Sequence, residues 1–237
     1  MVRLRSCGAL VLVIGVCVVG VAPAAADQPW RDPSQAPGQR AAELLAAMTL
    51  DQKVAMALGD YPSLASLGVP TLPSDDGPSG IRAAGTTSLP SAQTLAATFD
   101  RDLARAYGET IGAEARGKGF NWWLGPAMDI ARTPLAGRQP ENLGEDPFLA
   151  GETVAQEVAG AKSRHVIATL KHYVANNAEW GRIGFNTPTG RAGNVNALVS
   201  ERALQEIYEA PFKRAIRKAR ADAVMCSYNR LNGPLTC

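Results

Sequence analysis

The side chains best suited to binding or chemistry follow an apolar, strand-like run at residues 166–170. The sequence changes there to Lys171 and His172, two adjacent basic residues, and continues with amides, a carboxylate and Arg182. Such a change indicates a buried strand that delivers charged hydrogen-bonding groups to a site. A Lys-His pair alone is equally typical of a strand end that becomes solvated, so the interpretation depends on whether the pattern recurs.

The same change from apolar to polar residues occurs at three other places in the chain. The apolar runs and the polar segments after them are 68–73 with 74–82, 120–128 with 129–138, and 223–225 with 226–230. Several strands that each end in a polar cluster favour one shared site over four unrelated solvated ends.

The segments between these runs have the length and amphipathic pattern of helices. They cover about 102–118, 148–163 and 199–220, and a further helix is predicted at about 40–58. Strands that alternate with helices predict an α/β fold with a parallel sheet. The (β/α)₈ TIM-type barrel gathers polar strand ends into one site. A doubly wound sheet is the competing fold, but no G-x-G-x-x-G or G-x-x-x-x-G-K-[ST] motif supports it.

Six ordered blocks make the prediction specific. They are Asp76-Gly-Pro-Ser-Gly-Ile-Arg82, Leu124-Gly-Pro126 with Asp129-Ile-Ala-Arg132, Gly137-Arg138 with Glu141 and Gly144-Glu-Asp-Pro147, Lys171-His-Tyr-Val-Ala-Asn-Asn177, Ser200-Glu-Arg-Ala-Leu204 with Glu206-Ile-Tyr208, and Met225-Cys-Ser-Tyr-Asn229. In this order they resemble the amino-terminal barrel domain of glycoside hydrolase family 3, which includes many β-glucosidases and β-xylosidases. The resemblance implies an incomplete barrel here, with about four to five of the eight repeats.

The resemblance implies that six residues contact the sugar at the non-reducing end, the glycone. They are Asp76, Arg138, Lys171, His172, Arg182 and Tyr228. Asp76 is expected to accept hydrogen bonds from sugar hydroxyls, and Arg138, Lys171 and His172 are expected to donate to them. A carboxylate that faces several cations suits a polyol, because each hydroxyl both donates and accepts.

Structural roles remain open for three of these residues. Asp76 could instead cap the turn at Gly77, Arg138 could be an ion-pair partner of Glu141 or Asp129, and Tyr228 could be ordinary packing. Glu141, Glu145 and Asp146 match positions that support Arg138 in the family, so none is assigned as catalytic.

The resemblance implies hydrolysis of O-glycosidic bonds by a retaining, exo-acting enzyme of the β-glucosidase type. Such an enzyme needs two carboxyl groups, a nucleophile and an acid/base. The family places both beyond the position of Cys237. The chain is therefore expected to carry the glycone-binding half of the site and to be inactive by itself. The alternative is a sugar-binding fragment without catalytic function.

The segment from Lys171 to Asn177 narrows the expected substrate. Members of the family that act on N-acetylglucosamine carry a Lys-His-Phe-Pro-Gly-His-type segment, which this chain lacks. The expected ligand is therefore a β-linked glucoside or xyloside, or the corresponding oligosaccharide, and the sequence does not decide between the two sugars.

The first 26 residues have the pattern of a secretory signal peptide. Arg3 and Arg5 precede an apolar stretch, and Ala24-Ala25-Ala26 fits the cleavage site. The apolar stretch is short for a spanning helix, so the expected product is a secreted domain of residues 27–237 without a stable membrane anchor.

Composition excludes several other classes of function. The chain has 24 Lys and Arg against 22 Asp and Glu, and loss of Arg3 and Arg5 with the signal leaves 22 of each. This balance does not predict nucleic-acid binding. His165 and His172 are the only histidines and form no H-x-x-x-H pair, so neither a metal site nor a cofactor is predicted.

Cysteines are few after removal of the predicted signal peptide. Only Cys226 and Cys237 remain, on either side of Asn232-Gly233-Pro234, which favours a turn. In an oxidising compartment this pair is predicted to form a disulfide. Two unpaired thiols remain the alternative, because spacing does not give geometry.

Overall fold

The computed structural model describes residues 28–182 and 195–236. The chain divides into two compact units, residues 1–71 and 72–237. The helices are α1 Pro37–Ala47, α2 Leu50–Leu58, α3 Ala92–Ala96, α4 Arg101–Gly117, α5 Pro147–Ser163, α6 Glu201–Ala203 and α7 Ala210–Ala219. The strands are β1 Ser74–Asp76, β2 Trp122–Leu124, β3 Ile167–Tyr173, β4 Asn196–Ala197, β5 Ala223–Cys226 and β6 Arg230–Leu231.

The first unit contains α1 and α2, where the sequence predicted one helix at about 40–58. The helix is interrupted at Met48 and Thr49, because Thr49 is the N-cap of α2. Its hydroxyl accepts a hydrogen bond from the backbone N–H of Gln52 at 3.2 Å, and the Gln52 side chain accepts from the N–H of Thr49 at 2.9 Å. This capping box starts a new helix, and Gly59 ends it in the left-handed conformation.

The second unit is built on a parallel sheet with the strand order β1-β2-β3-β5. Asp76 pairs with Leu124 across β1 and β2, and Leu170 pairs with Val224 across β3 and β5. Ala168 and Leu170 on β3 are completely buried, as expected for a parallel strand that is covered on both faces. The prediction of an α/β fold with a parallel sheet is confirmed.

The two long helices of the second unit start at aspartate N-caps and pack directly on each other. Asp100 caps α4 and Asp146 caps α5. Their backbones approach closely at glycine: a Cβ atom on Gly108 would lie 2.0 Å from the carbonyl oxygen of Glu157. This contact fixes the helical layer that covers the sheet.

Strand boundaries differ from those predicted. The first strand begins at Ser74, after the apolar run at 68–73, and β2 is confined to Trp122–Leu124 within the predicted 120–128. The third strand continues through Lys171 and His172, which the sequence predicted to follow it. Polar side chains inside a strand are tolerated here because they make hydrogen bonds and ion pairs with residues on β1 and after β2.

The predicted helices at 102–118 and 148–163 are confirmed to within one residue by α4 and α5. The predicted helix at 199–220 is present as α6, a π-helical turn at Leu204–Tyr208, and α7. In that turn the N–H of Glu209 donates to the carbonyl of Leu204 at 2.8 Å, and the Glu209 carboxylate accepts a hydrogen bond from the Tyr173 hydroxyl at 2.8 Å. The turn thus ties this helix to the end of β3.

Within the described ranges, no helix is long and apolar enough to span a membrane. The predicted signal peptide at 1–26 lies outside the described residues.

Candidate functional site

The ends of β1 and β3 bring an aspartate and a lysine into direct contact. Asp76 is the last residue of β1, and Lys171 lies near the end of β3, two strands away. Lys171 Nζ lies 2.5 Å from Asp76 Oδ1, although 95 residues separate the pair in the sequence. The parallel order of the strands therefore produces the contact that the recurring polar strand ends predicted.

Asp76 is the acceptor at the centre of this contact. Its Oδ1 also accepts from the N–H of Gly77 at 2.8 Å, and its Oδ2 lies 3.2 Å from Arg82 Nη1. Burial alone would raise the pKa of Asp76, but the hydrogen bond and the charge of Lys171 bring the pKa below its ordinary value. The turn-cap role is thus real, and it accompanies two contacts to cations.

Lys171 is almost completely buried, with 2% of its side chain exposed. Burial lowers the pKa of its ammonium group, and the Asp76 carboxylate offsets part of that effect. A buried ammonium needs such a partner, because an unpaired charge in the interior is strongly destabilising. The ion pair with Asp76 therefore explains how β3 can carry a lysine in its buried part.

His172 lies between a carboxylate and a guanidinium. Its Nδ1 is 2.8 Å from Asp129 Oδ2, and its Nε2 is 3.0 Å from Arg138 Nη1. Asp129 follows β2 and is held beside β3 because the N–H of Met128 donates to the carbonyl of Lys171 at 2.7 Å. The end of β2 thus contributes to the site through Asp129.

Arg138 is held in place by Glu141. The guanidinium donates from Nε to Oε1 at 3.1 Å and from Nη2 to Oε2 at 2.5 Å. Burial would lower the pKa of Arg138, but the hydrogen bonds and charge of Glu141 raise it overall. The predicted ion pair with Glu141 is therefore present, and it orients Arg138 towards His172.

Arg182 and Tyr228 form a second group with Glu179. The guanidinium carbon of Arg182 lies 5.5 Å from the centre of the Tyr228 ring, a cation–π distance. Glu179 Oε2 accepts from Arg182 Nε at 2.5 Å, and Glu179 Oε1 accepts from Asn176 Nδ2 at 3.3 Å. Glu179 also packs near Gly137, where an added Cβ would lie 3.2 Å from Glu179 Cγ. Glu179 therefore connects this pair to the loop that carries Arg138.

The segment after β5 is held against the end of β3. The Ser227 hydroxyl and the Asn229 amide both donate to the carbonyl of Val174 at 3.1 Å. These bonds leave Tyr228 between two buried residues with 56% of its own surface exposed. Tyr228 is therefore presented at the surface, and its role as a sugar contact stays a prediction.

The structure thus places the six predicted residues in three contacting pairs, Asp76 with Lys171, Arg138 with His172, and Arg182 with Tyr228. Sequence reasoning assigned no binding role to Arg82, Asp129 and Glu179. Arg82 closes the same block as Asp76, and Asp129 opens the polar segment after the second strand, so both were visible as motif residues. The contact of Asp129 with His172 joins residues 43 positions apart, so only the fold shows it.

Two other predictions concern metals and disulfides. The described residues contain no group of three or more His, Cys, Asp or Glu that could hold a metal ion. Cys226 is disulfide-bonded. Cys237 lies outside the described residues, so the pairing of Cys226 with Cys237 stays a prediction.

Comparison with known proteins identifies the family. The family model of the glycosyl hydrolase family 3 N terminal domain matches residues 44–236 of the sequence. The chain belongs to this family. The four-stranded parallel sheet of this family 3 chain is part of the predicted (β/α)₈ barrel, and within the described residues it is open, with β1 and β5 at its edges.

Curated relatives of this family 3 chain are much longer than the chain itself. It is 41% identical over 207 residues to probable beta-glucosidase J of Aspergillus fumigatus, a match that covers 83% of this chain and 23% of the relative. It is 36% identical over 208 residues to thermostable beta-glucosidase B of Acetivibrio thermocellus, covering 81% and 26%. The chain therefore spans about a quarter of the length of these relatives.

Solved structures agree with the sequence comparison. DesR, a beta-glucosidase from Streptomyces venezuelae in complex with D-glucose, is 38% identical, with a TM-score of 0.72 over 82% of this chain and 25% of DesR. Beta-glucosidase 3B from Thermotoga neapolitana in complex with glucose is also 38% identical, with a TM-score of 0.66 over 73% of this chain and 24% of that protein. Both likenesses cover more than two thirds of this chain at an identity that supports the family.

Proposed function

We propose that this chain forms the glycone-binding half of a retaining β-glucosidase-type site. The observation that carries the proposal is the contact between the buried Lys171 and the partly exposed Asp76 at the end of the sheet, with Arg82 on the other carboxylate oxygen. The oxygens of the Asp76 carboxylate can accept hydrogen bonds, and the N–H groups of Lys171 and Arg82 beside them can donate. A sugar hydroxyl can use both functions at once.

The remaining groups fit the same ligand. Arg138 and His172 lie beside the strand end, and Arg182 with Tyr228 adds a second donor and an aromatic ring. The site carboxylates Asp76, Asp129, Glu141 and Glu179 each accept from a neighbouring side chain. We assign Asp129, Glu141 and Glu179 to holding the donors in position, and we assign neither the nucleophile nor the acid/base to any of the four.

We propose a β-glucoside as the ligand in preference to a β-xyloside. The support is indirect: two related structures were solved with glucose, and the curated relatives compared above are named as beta-glucosidases. The alternative is a sugar-binding fragment without turnover, and it uses the same contacts. Both predict specific binding of a β-glucoside by this chain.

Isothermal titration calorimetry tests the proposal. The ligands are methyl β-D-glucopyranoside, methyl β-D-xylopyranoside and the methyl β-glycoside of N-acetylglucosamine. We expect saturable binding of the glucoside, weaker binding of the xyloside, and least binding of the N-acetylglucosamine derivative. Lys171→Met should weaken glucoside binding by roughly tenfold or more, since hydrogen bonds to charged groups contribute about 1.5–3 kcal/mol.

Lys53→Met is the matched control, because Lys53 is an exposed lysine on α2. It should leave the affinity unchanged. Absence of glucoside binding by folded wild-type protein, or equal loss of affinity in both variants, would contradict the proposal.

A further inference from the structure

The protonation state of His172 follows from its two neighbours. Arg138 Nη1 lies 3.0 Å from Nε2, and a guanidinium can only donate hydrogen bonds. Nε2 must therefore accept this bond and carries no proton. In a neutral imidazole the proton is then on Nδ1, which faces Asp129 Oδ2 at 2.8 Å.

We propose that Asp129 is a positioning residue that fixes His172 in the Nδ1–H tautomer and so makes Nε2 a hydrogen-bond acceptor. This reverses the direction that the family resemblance implied, in which His172 donates to a sugar hydroxyl. The arrangement gives the site an acceptor nitrogen next to Arg138 and Lys171, both of which only donate.

Burial and a second hydrogen bond support this role for Asp129. The side chains of Asp129 and His172 are 4% and 6% exposed, so water does not compete strongly for their contact. The backbone N–H of His172 also points to Asp129 Oδ2, at 3.4 Å. Within the described ranges, Asp129 Oδ1 has no hydrogen-bond partner. The carboxylate is therefore oriented through Oδ2, and both donors to that oxygen belong to His172.

The consequence for recognition rests on the proposed function. A sugar hydroxyl that reaches Nε2 takes the place of Arg138 Nη1 and must donate its own proton to the ring. A glucoside with fluorine in place of that hydroxyl cannot donate, so it should lose this contact. The tautomer itself is a property of the sugar-free protein and does not depend on any ligand.

Long-range ¹H–¹⁵N correlation spectra of the histidine-labelled chain at slightly alkaline pH test the proposal. The chain has only two histidines, so His165→Gln assigns the His172 signals. We expect Nδ1 to give a protonated, pyrrole-type signal and Nε2 an unprotonated, pyridine-type signal. Asp129→Ala should abolish this preference, and Asp129→Asn should restore it, because the amide oxygen can still accept from Nδ1–H.

Several results would overturn the proposal. A wild-type His172 with the proton on Nε2, or with both nitrogens protonated, contradicts it whether or not the variants fold. An unchanged tautomer in folded Asp129→Ala does the same. After addition of methyl β-D-glucopyranoside, Nε2 should shift and stay pyridine-type, and its protonation would contradict the acceptor role.

The same samples separate this proposal from the proposed function. The predicted tautomer without glucoside binding would contradict only the proposed function. Glucoside binding by a chain with the Nε2–H tautomer would contradict only the role assigned to Asp129.

Discussion

At the scale of single residues, the site consists of charged groups that already have partners inside the protein. Asp76 pairs with Lys171 and Arg82, Arg138 pairs with Glu141, and Arg182 pairs with Glu179. Such pairing keeps each donor or acceptor in a defined direction before a ligand arrives, which reduces the entropy lost on binding. The family motifs predicted four of these residues as sugar contacts, namely Asp76, Lys171, Arg138 and Arg182.

The pairing gives Asp76 a role in stability that the sequence did not indicate. Asp76→Ala leaves the buried Lys171 ammonium without its acceptor, and we expect it to destabilise the fold by about 3–5 kcal/mol. Adding Lys171→Met to Asp76→Ala should recover much of this loss, because the unpaired buried charge disappears. The measurement is the free energy of unfolding in urea for the wild type, Asp76→Ala, Lys171→Met and the double variant. Equal stability of both Asp76→Ala proteins would show that the ion pair is not the cause.

A buried carboxyl group outside the site predicts how stability depends on pH. Burial raises the pKa of Glu157 on α5 to about 8 from the ordinary 4.5. A raised folded-state pKa means that the folded protein binds this proton more tightly than the unfolded chain. The contribution of Glu157 to the free energy of unfolding is therefore fully present below about pH 4.5, and it is lost progressively as the pH rises to about 8.

Glu157→Gln should remove this dependence. We expect the variant to gain stability over the wild type as the pH rises from 4.5 to 8, by a few kcal/mol in order of magnitude. The measurement is the difference in unfolding free energy between variant and wild type at several pH values. Glu145→Gln, in an exposed loop, is the control and should show no such trend. A difference that does not vary with pH would show that Glu157 ionises normally.

At the scale of elements, the positions of α4 and α5 could be predicted from the length and amphipathic pattern of their segments. The strands could not be placed as well, because β1 and β2 have three residues each, too few for a period of two to be read. The extension of β3 through Lys171 and His172 depends on partners at Asp76 and Asp129. These partners are distant in sequence, so local patterns do not contain them.

The contact between α4 and α5 predicts the effect of two glycine substitutions. Gly108→Ala should destabilise the protein by about 1–3 kcal/mol or more, because the new Cβ would lie 2.0 Å from the carbonyl oxygen of Glu157. Gly117→Ala, on the same helix with no atom within 4 Å of the added Cβ, should be neutral or slightly stabilising. Thermal unfolding of both variants checks this, and similar effects at the two positions would contradict the packing argument.

At the scale of the whole molecule, the family assignment and the parallel sheet follow from motifs that lie at strand ends. The predicted export signal is a separate feature, and we propose that the protein is secreted. Expression in a host with a general secretion system should release the protein into the medium. Its intact mass should match a chain that begins at Asp27. An exported or membrane-bound product that retains Met1 would contradict the predicted cleavage after Ala26.

The site takes side chains from the ends of four strands of one sheet, β1, β2, β3 and β5. The sequence predicted site residues without the contacts between them. Motif positions gave Lys171 and His172, but their contacts with Asp76 and Asp129 join residues that are 95 and 43 positions apart in the sequence, and these contacts follow from the parallel order of the strands. We therefore expect these strand ends to form a single sugar-binding surface.

The most direct test is a crystal structure of the chain soaked with D-glucose. We expect one glucose at the ends of β1 and β3, with hydroxyl groups within hydrogen-bonding distance of Asp76 and Lys171 and further contacts to Arg138 or His172. Glucose bound only elsewhere, for example in the groove of about 740 Å³ beside Phe99 and Phe148, would contradict it. So would an accessible strand-end site that stays empty at glucose concentrations that saturate binding in solution.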